Sequence, residues 1–130
     1  MKMEMVLATE SYFSFVRELR NNPVTNLGFI QRDLISEVSH LDYMKKNSKF
    51  YKICLLDGVP VGYIGIIEKD IRIAVHNDYL QLGIGTFMLN EITKDTSDNL
   101  SAKIKIENIA SIKLFEKLGY KKRYYIYEKN

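Results

Sequence analysis

The sequence predicts an α/β (α+β) domain spanning residues 1–130, with a mixed central β-sheet and about four flanking helices. The expected order of elements is β-α-α-β-β-β-α-β-α-β. Three observations predict it. Short β-prone apolar runs alternate with segments whose apolar residues recur every three to four positions. Asp57–Gly58 separates two apolar runs, as the turn of a β-hairpin does. The glycine pair Gly83 and Gly85 stands between a β-prone run and a helical one.

The N-terminal part is predicted to supply one strand and two helices. Met3–Ala8 is a short apolar run typical of a strand. Apolar residues at positions 12, 15, 16 and 19 then form one face of a helix, which ends before Pro23. A second helix is predicted over Glu37–Lys46, with Ser36 as its N-cap. Between the two helices, Val24–Ile35 shows no period, and we predict an irregular connection there.

The middle of the chain is predicted to form a hairpin and a third strand next to it. Phe50–Leu56 and Val59–Ile67 flank the turn at Asp57–Gly58. Two glycines within the return strand indicate a bulge or a close approach of another backbone. The polar turn Glu68–Asp70 then leads into the strand Ile71–Val75.

Two further helices and two further strands are predicted after the glycines. Apolar residues at four-residue spacing predict a helix from Gly85 to about residue 94. Ala102–Ile106 alternates isoleucine and lysine, as a strand with one solvated face does. Ala110–Leu118 is predicted to be a helix that ends at Gly119, and Tyr120–Tyr127 to be the last strand.

Composition limits the possible classes of function. Hydrophobic residues make up 46% and charged residues 27%, as in a globular domain. The net charge of +3 fits a small anionic ligand and is too weak to indicate nucleic acid. Cys54 is the single cysteine, so no internal disulfide can form. No apolar run approaches the length of a membrane span, and we expect a cytoplasmic protein with no membrane partner.

The glycine segment is typical of an anion site. A strand, a glycine loop and a helix in that order place backbone N–H groups at a positive helix N-terminus. A dinucleotide-binding loop needs a third glycine where this chain has Met88, and a nucleoside-triphosphate loop needs Lys-Ser/Thr where it has Thr86-Phe87. Both interpretations are therefore excluded, and a simple tight turn remains the alternative to a ligand site.

Two motifs extend this interpretation. Val75–Gly85, VHNDYLQLGIG, resembles motif A of the GNAT acetyltransferase superfamily, and Asn108–Tyr120, NIASIKLFEKLGY, resembles its motif B. They occur in the expected order and at the expected spacing. The resemblance implies the fold of that superfamily, acetyl-CoA as donor, direct transfer of the acetyl group to an amine, and no metal.

The resemblance also implies which residues contact the cofactor. The pantetheine arm would run along the strand that ends at Val75, whose amide would polarise the thioester carbonyl. Backbone amides of the glycine loop would hold the pyrophosphate, although Leu80 stands where the family usually has Gln or Arg. Asn108 is also well suited to a plain N-cap. The expected cofactor-binding residues are Ile73, Ala74, Val75, Gln81, Leu82, Gly83, Ile84, Gly85, Thr86, Asn108 and Phe115.

The acid and the base are left open by the sequence. Many family members have a tyrosine that protonates the thiolate, and Phe115 stands there. Tyr120, another tyrosine or water could supply the proton, and a thiolate with a conjugate-acid pKa of about 8.5 can leave without one. The candidate bases by position are Glu68, His76 and Glu107, each of which is equally typical of a solvated turn.

The acceptor side is predicted from a looser resemblance. An Arg-Asn pair, followed by Ser-x-x-x-His before a helix, resembles GNAT members that act on nucleotide-linked amino sugars. It implies substrate contacts at Arg20, Asn21 and His40, although the first two equally suit the end of a helix. A protein or peptide N-acetyltransferase, a non-catalytic acyl-CoA-binding regulator and a binder of a different nucleotide are the alternatives. Either a monomer or a homodimer is compatible with the sequence.

Overall fold

The computed structural model describes residues 1–22, 34–94, 96 and 98–129. Most of the predicted connection Val24–Ile35 therefore lies outside the described residues. The described strands are β1 (Met3–Leu7), β2 (Tyr51–Leu56), β3 (Val59–Ile67) and β4 (Asp70–Val75). The described helices are α1 (Phe13–Asn21), α2 (Glu37–Asn47), α3 (Ile84–Thr93) and α4 (Ile109–Lys117).

The strands form an antiparallel sheet in the order β1-β2-β3-β4. Two tight turns set the register of its hairpins. Asp57 and Gly58 have φ of 50° and 83°, and Glu68 and Lys69 have φ of 52° and 67°. Positive φ at both central residues matches the right-handed twist of the flanking strands. The hairpin predicted at Asp57–Gly58 is confirmed.

Each face of the sheet carries its own core, because successive side chains of a strand point to opposite faces. On one face, Val16 and Leu19 of α1 and Met44 of α2 pack on Tyr63 and Ala74. On the other face, buried side chains of α3 and α4 pack on buried side chains of the strands. The helices contribute Ile84, Met88 and Phe115 to this core, and the strands contribute Cys54, Val61 and Ile64.

Close packing explains the two glycines of β3. A Cβ at Gly62 would lie 2.8 Å from the carbonyl oxygen of Ala74 and 2.9 Å from Cε of Met88. A Cβ at Gly65 would lie 2.6 Å from Cδ1 of Tyr51. At Gly62 the structure shows both predicted alternatives, because a backbone oxygen approaches closely and the β2–β3 register shifts between the pairs Cys54–Gly62 and Leu55–Pro60. At Gly65 the close neighbour is the side chain of Tyr51 rather than a backbone.

The last two predicted strands are wrong. Ser101 forms one parallel bridge with Asp70, and the described residues that follow contain no strand. Ala102 and Ile104 pack against the core between the sheet and the helices α3 and α4, but their backbone is not part of the sheet. Three tyrosines and an isoleucine of Tyr124–Tyr127 are 65–92% exposed. Alternation of apolar and polar residues indicates a segment with two different faces. A strand also needs a neighbouring strand to pair with, which the alternation does not indicate. The α/β class is confirmed, with four α-helices among the described residues, although the described sheet is antiparallel rather than mixed.

None of the helices in the described ranges is both long and apolar enough to cross a membrane.

Candidate active site

The outer edge of β4 presents unpaired backbone groups. The N–H of His76 donates to the Val61 oxygen at 2.8 Å, and that of Ile71 donates to the Ser101 oxygen at 2.8 Å in the opposite direction. Because alternate residues of an antiparallel strand bond to opposite sides, Ile73 and Val75 direct their N–H and C=O groups away from β3. No described strand pairs with this edge beyond the bridge at Ser101. An extended ligand can therefore add to β4 there.

The glycine loop directs further backbone donors to the same end of the sheet. Gly83 is the N-cap of α3 with φ of 81°, a left-handed conformation that glycine adopts without strain. The first helical bond runs from the N–H of Phe87 to the Gly83 oxygen at 3.0 Å. The N–H groups of Ile84, Gly85 and Thr86 precede that bond and have no partner within the helix. With the positive end of the helix dipole, they form a site suited to phosphate.

Gly85 has a packing role rather than a conformational one. A Cβ at this position would lie 3.0 Å from Cδ2 of Leu114 on α4. The missing side chain therefore lets the first turn of α3 lie close to α4. The two glycines of the loop act for different reasons, one through its φ angle and the other through its size.

Asn108 forms the N-cap that its residue type indicated. Its Oδ1 accepts a hydrogen bond from the N–H of Ser111 at 3.2 Å, at the start of α4. The capping interpretation is therefore shown, while a contact with the pantetheine arm stays a prediction.

Phe115 and Tyr120 form an aromatic pair on the α3–α4 side of the sheet. Phe115 is 4% exposed, and its ring meets that of Tyr120 edge to face, with centroids 5.0 Å apart. Burial raises the pKa of the Tyr120 phenol. The phenol is therefore protonated near neutral pH, although a higher pKa also makes it a weaker proton donor.

The three predicted bases lie in different places. His76 directly follows Val75, and its ring meets Tyr79 edge to face at 5.7 Å. Glu107 is exposed and immediately precedes Asn108 at the start of α4. Glu68 lies in the β3–β4 turn, at the opposite end of β4 from Val75, about 20 Å away at roughly 3.3 Å per residue. The structure thus brings His76 to the open end of β4 and does not bring Glu68 there.

The predicted acceptor residues mostly bond within the protein. The side chain of Asn21 pairs with both backbone groups of Ile35, donating to its oxygen at 2.9 Å and accepting from its N–H at 2.8 Å. His40 is 4% exposed, and its Nε2 donates to the Phe13 oxygen at 3.0 Å. Burial lowers the pKa of His40, so its ring is held neutral in the core. The structure does not bring His40 to an acceptor surface.

Arg20 belongs to a network of tyrosines that the sequence did not predict. It hydrogen-bonds to Tyr63, whose pKa burial raises to about 12. Tyr43 and Tyr51 share a hydrogen bond of 2.7 Å between their hydroxyls, and Nη1 of Arg72 donates to Tyr43 at 3.2 Å. The alternation of β2 and β3 could have placed Tyr51 and Tyr63 on one face, but nothing local placed Tyr43 beside them.

A cleft between α1 and the end of β4 is the second feature that the sequence did not predict. It is lined by Arg17, Glu18, Leu19, Asn21, Asn22 and His76. Its walls come from residues more than 50 positions apart in the chain, so no local pattern could have found it.

The pattern of the acetyltransferase (GNAT) family matches residues 13–120. The chain belongs to the GNAT acetyltransferase family. No curated protein sequence matches it. The part of the chain described by the structure holds no group of three or more His, Cys, Asp or Glu residues that could bind a metal ion.

Solved structures of the same fold include several acetyltransferases. The yncA protein from Salmonella typhimurium, solved with its cofactor acetyl-CoA, is 17% identical with a TM-score of 0.76, covering 92% of this chain and 79% of its own. The ribosomal-protein-alanine N-acetyltransferase from Brucella melitensis is 21% identical with a TM-score of 0.76, covering 89% and 83%. AAC(6')-Iy, solved with the bisubstrate analogue CoA-S-monomethyl-acetylneamine, is 17% identical with a TM-score of 0.70, covering 100% and 99%. At these identities the likeness shows the fold.

Proposed function

We propose that this protein is an N-acetyltransferase that moves the acetyl group of acetyl-CoA directly to a primary amine of a small molecule. A nucleotide-linked amino sugar is the first acceptor class to test. Membership in the GNAT family supports the reaction class. The acceptor class rests on the looser sequence resemblance and on the chemistry of the acceptor side.

The continuity between the open edge of β4 and the N-terminus of α3 is the observation that carries the proposal. The outward backbone groups of Ile73 and Val75 suit the amides of a pantetheine arm. The free N–H groups of Ile84–Thr86 suit the pyrophosphate of the same molecule. Acetyl-CoA has these two parts joined in one chain, with the thioester at the far end of the arm.

The residues of this chain have distinct tasks in the proposed reaction. The N–H of Val75 would donate to the thioester carbonyl, which gains negative charge as the amine attacks. The amine nitrogen forms a bond to the carbonyl carbon, and the bond from carbon to sulfur breaks. Tyr120 is the proposed proton donor to sulfur, because its ring packs against Phe115, which stands where many family members have the tyrosine that protonates the thiolate. Phe115 would pack against the thiol end of the arm.

Two observations bear on the acceptor. AAC(6')-Iy was solved with a bisubstrate analogue that carries an acetylneamine. Arg20 supplies a guanidinium on the α1–α2 side of the sheet, suited to an anionic group of the acceptor. A peptide N-terminus is the second candidate, because the Brucella melitensis protein of the same fold is a ribosomal-protein-alanine N-acetyltransferase.

Location and assembly follow from composition. A net charge of +3 and a single buried cysteine fit a cytoplasmic enzyme with no nucleic-acid partner. Either a monomer or a homodimer fits the proposal, and the exposed segment Tyr124–Tyr127 is the surface that a second copy would cover.

A screen of acetyl transfer tests the proposal. Free thiol is measured after mixing the protein with acetyl-CoA and nucleotide amino sugars, polyamines or peptides. We expect acetyl-CoA to raise the melting temperature and at least one amine class to release CoA with formation of an amide. Binding of acetyl-CoA without turnover on any amine would indicate a regulator. Stabilisation by ATP or NAD but not by acetyl-CoA would contradict the cofactor.

A further inference from the structure

The cleft between α1 and β4 opens beside the proposed position of the thioester. His76, which lines it, directly follows Val75. The side chains of Arg72 and Ala74 lie on the face of β4 that meets α1 and α2, and those of Ile73 and Val75 lie on the other face. The Nδ2 of Asn22 donates to Oδ1 of Asn77 at 3.3 Å, which ties the end of α1 to the chain after β4.

The hydrogen bonding of His76 fixes its tautomer. Its Nδ1 accepts a hydrogen bond from the backbone N–H of Asp78 at 3.1 Å. A nitrogen that accepts this bond carries no proton, so the neutral ring carries its proton on Nε2. The Asp78 carboxylate is 3.8 Å from the same Nδ1, too far for a hydrogen bond. In this arrangement the ring can donate from Nε2, but neither nitrogen is free to take a proton from an amine.

Glu18 is the carboxylate that lines the cleft. Its side chain is exposed, and it forms no hydrogen bond or ion pair with another described residue. It also stands in the last turn of α1, where the carbonyl end of the helix dipole attracts cations. Arg17, the other charged residue among the described residues that line the cleft, donates from Nε to the Ile35 oxygen at 3.0 Å. A cationic amine is therefore best placed against Glu18.

We propose that Glu18 binds the ammonium group of the acceptor and takes its proton, while neutral His76 donates a hydrogen bond from Nε2 to an oxygen of the same acceptor. This inference rests on the proposed N-acetyltransferase function. The acceptor class is a primary amine with a hydroxyl or carboxylate oxygen close to the nitrogen. A neutral histidine held by a backbone N–H is a known device for donating to substrate oxygen.

The step balances without another reactant. The ammonium loses one proton to the Glu18 carboxylate, and the freed lone pair forms the bond from nitrogen to carbon. The electron pair of the carbon–sulfur bond leaves with sulfur. Tyr120 gives its proton to sulfur and regains one from the nitrogen, so the products are the amide, the CoA thiol and a protonated phenol, and Glu18 returns its proton to water.

Replacement of Glu18 tests its proposed role as the group that binds and deprotonates the amine. With an amine that the wild-type chain acetylates, Glu18→Gln should lower kcat/KM about 100-fold or more at pH 7. The deficit should shrink as the pH rises toward the pKa of the amine, about 10 for an alkylamine, because the amine then arrives neutral. Glu10→Gln, the same change at an exposed site outside the cleft, should keep wild-type activity. A Glu18→Gln variant with wild-type kcat/KM, or with a deficit that is constant with pH, would overturn the proposal.

Two replacements of His76 test its proposed role as the hydrogen-bond donor to the acceptor oxygen. Glutamine carries an amide N–H near the position of Nε2, whereas asparagine can replace only Nδ1 as acceptor for Asp78. A donor role predicts that His76→Gln keeps kcat/KM within about threefold while His76→Asn loses about tenfold, the size expected for one hydrogen bond. Equal large losses in both variants, with loss of an ionisation from the pH profile, would make His76 the base and contradict the assignment.

The stabilisation of each variant by acetyl-CoA separates this inference from the function on which it depends. A wild-type chain that acetylates no amine and is not stabilised by acetyl-CoA would contradict the proposed function. An active wild-type chain whose Glu18→Gln variant remains equally active would contradict only the role of Glu18. We expect an active wild-type chain, and the same melting-temperature rise with acetyl-CoA in all the variants.

Discussion

The two sides of the sheet use their polar groups in opposite ways. Toward α3 and α4, the outward backbone groups of Ile73 and Val75 and the N–H groups of Ile84–Thr86 have no partner within the described sheet and helix. Toward α1 and α2, polar side chains bond to other parts of the chain, as Tyr43 does with Tyr51 and Asn21 with Ile35. Backbone groups recognise features common to a cofactor, whereas side chains discriminate between substrates. In the proposed function, the cofactor binds on the first side and the acceptor on the second.

Polar contacts on the proposed acceptor side join residues that are distant in the chain, namely Asn21 with Ile35, His40 with Phe13 and Arg72 with Tyr43. The contact of His40 joins α2 to α1, and that of Arg72 joins β4 to α2.

The largest expected effect is the loss of acetyl-CoA affinity when the glycine loop before α3 is changed. Gly83→Val places a β-branched residue at φ of 81°, where the left-handed conformation costs about 1–2 kcal/mol or more for such a residue. We expect the loop to rearrange and the Kd for acetyl-CoA to rise about tenfold or more, measured by calorimetry. Gly119→Val is the matched control, with φ of 92° at the end of α4. It should lose stability without losing affinity, and equal affinity losses in both variants would contradict the assignment of the loop.

A change on the α1–α2 side of the sheet should lower the stability of the protein and leave its affinity for acetyl-CoA unchanged. Tyr43→Phe removes the hydroxyl that pairs with Tyr51 at 2.7 Å and leaves that buried group without its partner. We expect the free energy of unfolding to fall by about 1–2 kcal/mol in urea titrations, with unchanged Kd for acetyl-CoA. Tyr125→Phe, at a tyrosine that is 74% exposed, should change neither quantity. A large loss of acetyl-CoA affinity in Tyr43→Phe would mean that the two sides are not separate.

The smallest expected effect is the pH dependence that His40 gives to stability. Burial lowers the pKa of His40 below the ordinary value of 6.5. As the pH falls, the unfolded chain therefore binds a proton at this residue before the folded chain does. This contribution is present above pH 6.5 and is lost as the pH falls through the lower pKa of the folded state. Stability should therefore decrease from pH 7 to pH 5, and the decrease should be smaller in His40→Gln. His76→Gln, a change at the other histidine, should keep the decrease, and equal pH dependence in wild type and His40→Gln would contradict this explanation.

The sequence predicted the geometry of the glycine loop and α3 better than the contacts of α1 and α2, for a physical reason. The turn at Gly83 and the register of α3 follow from residues within about ten positions of each other, so a local pattern contains them. His40 bonds to Phe13 across 27 positions, and no period in the sequence reveals that contact. The strand predicted over Tyr120–Tyr127 was wrong for a related reason, because alternation cannot show whether a pairing neighbour exists. Glu18, which we propose as the base, could not be predicted because a single carboxylate in a helix has no local signature.

Amide-resolved NMR during a titration with acetyl-CoA tests the central claim most directly, since it observes the backbone groups that should bind the cofactor. The predicted result is a set of chemical-shift changes at Ile73, Val75 and Gly83–Thr86, with slower hydrogen exchange there. The amides of α2 should remain unchanged. Shifts concentrated on α1 and α2, or no shifts at saturating acetyl-CoA, would contradict the assignment of the β4 edge and the α3 N-terminus to the cofactor.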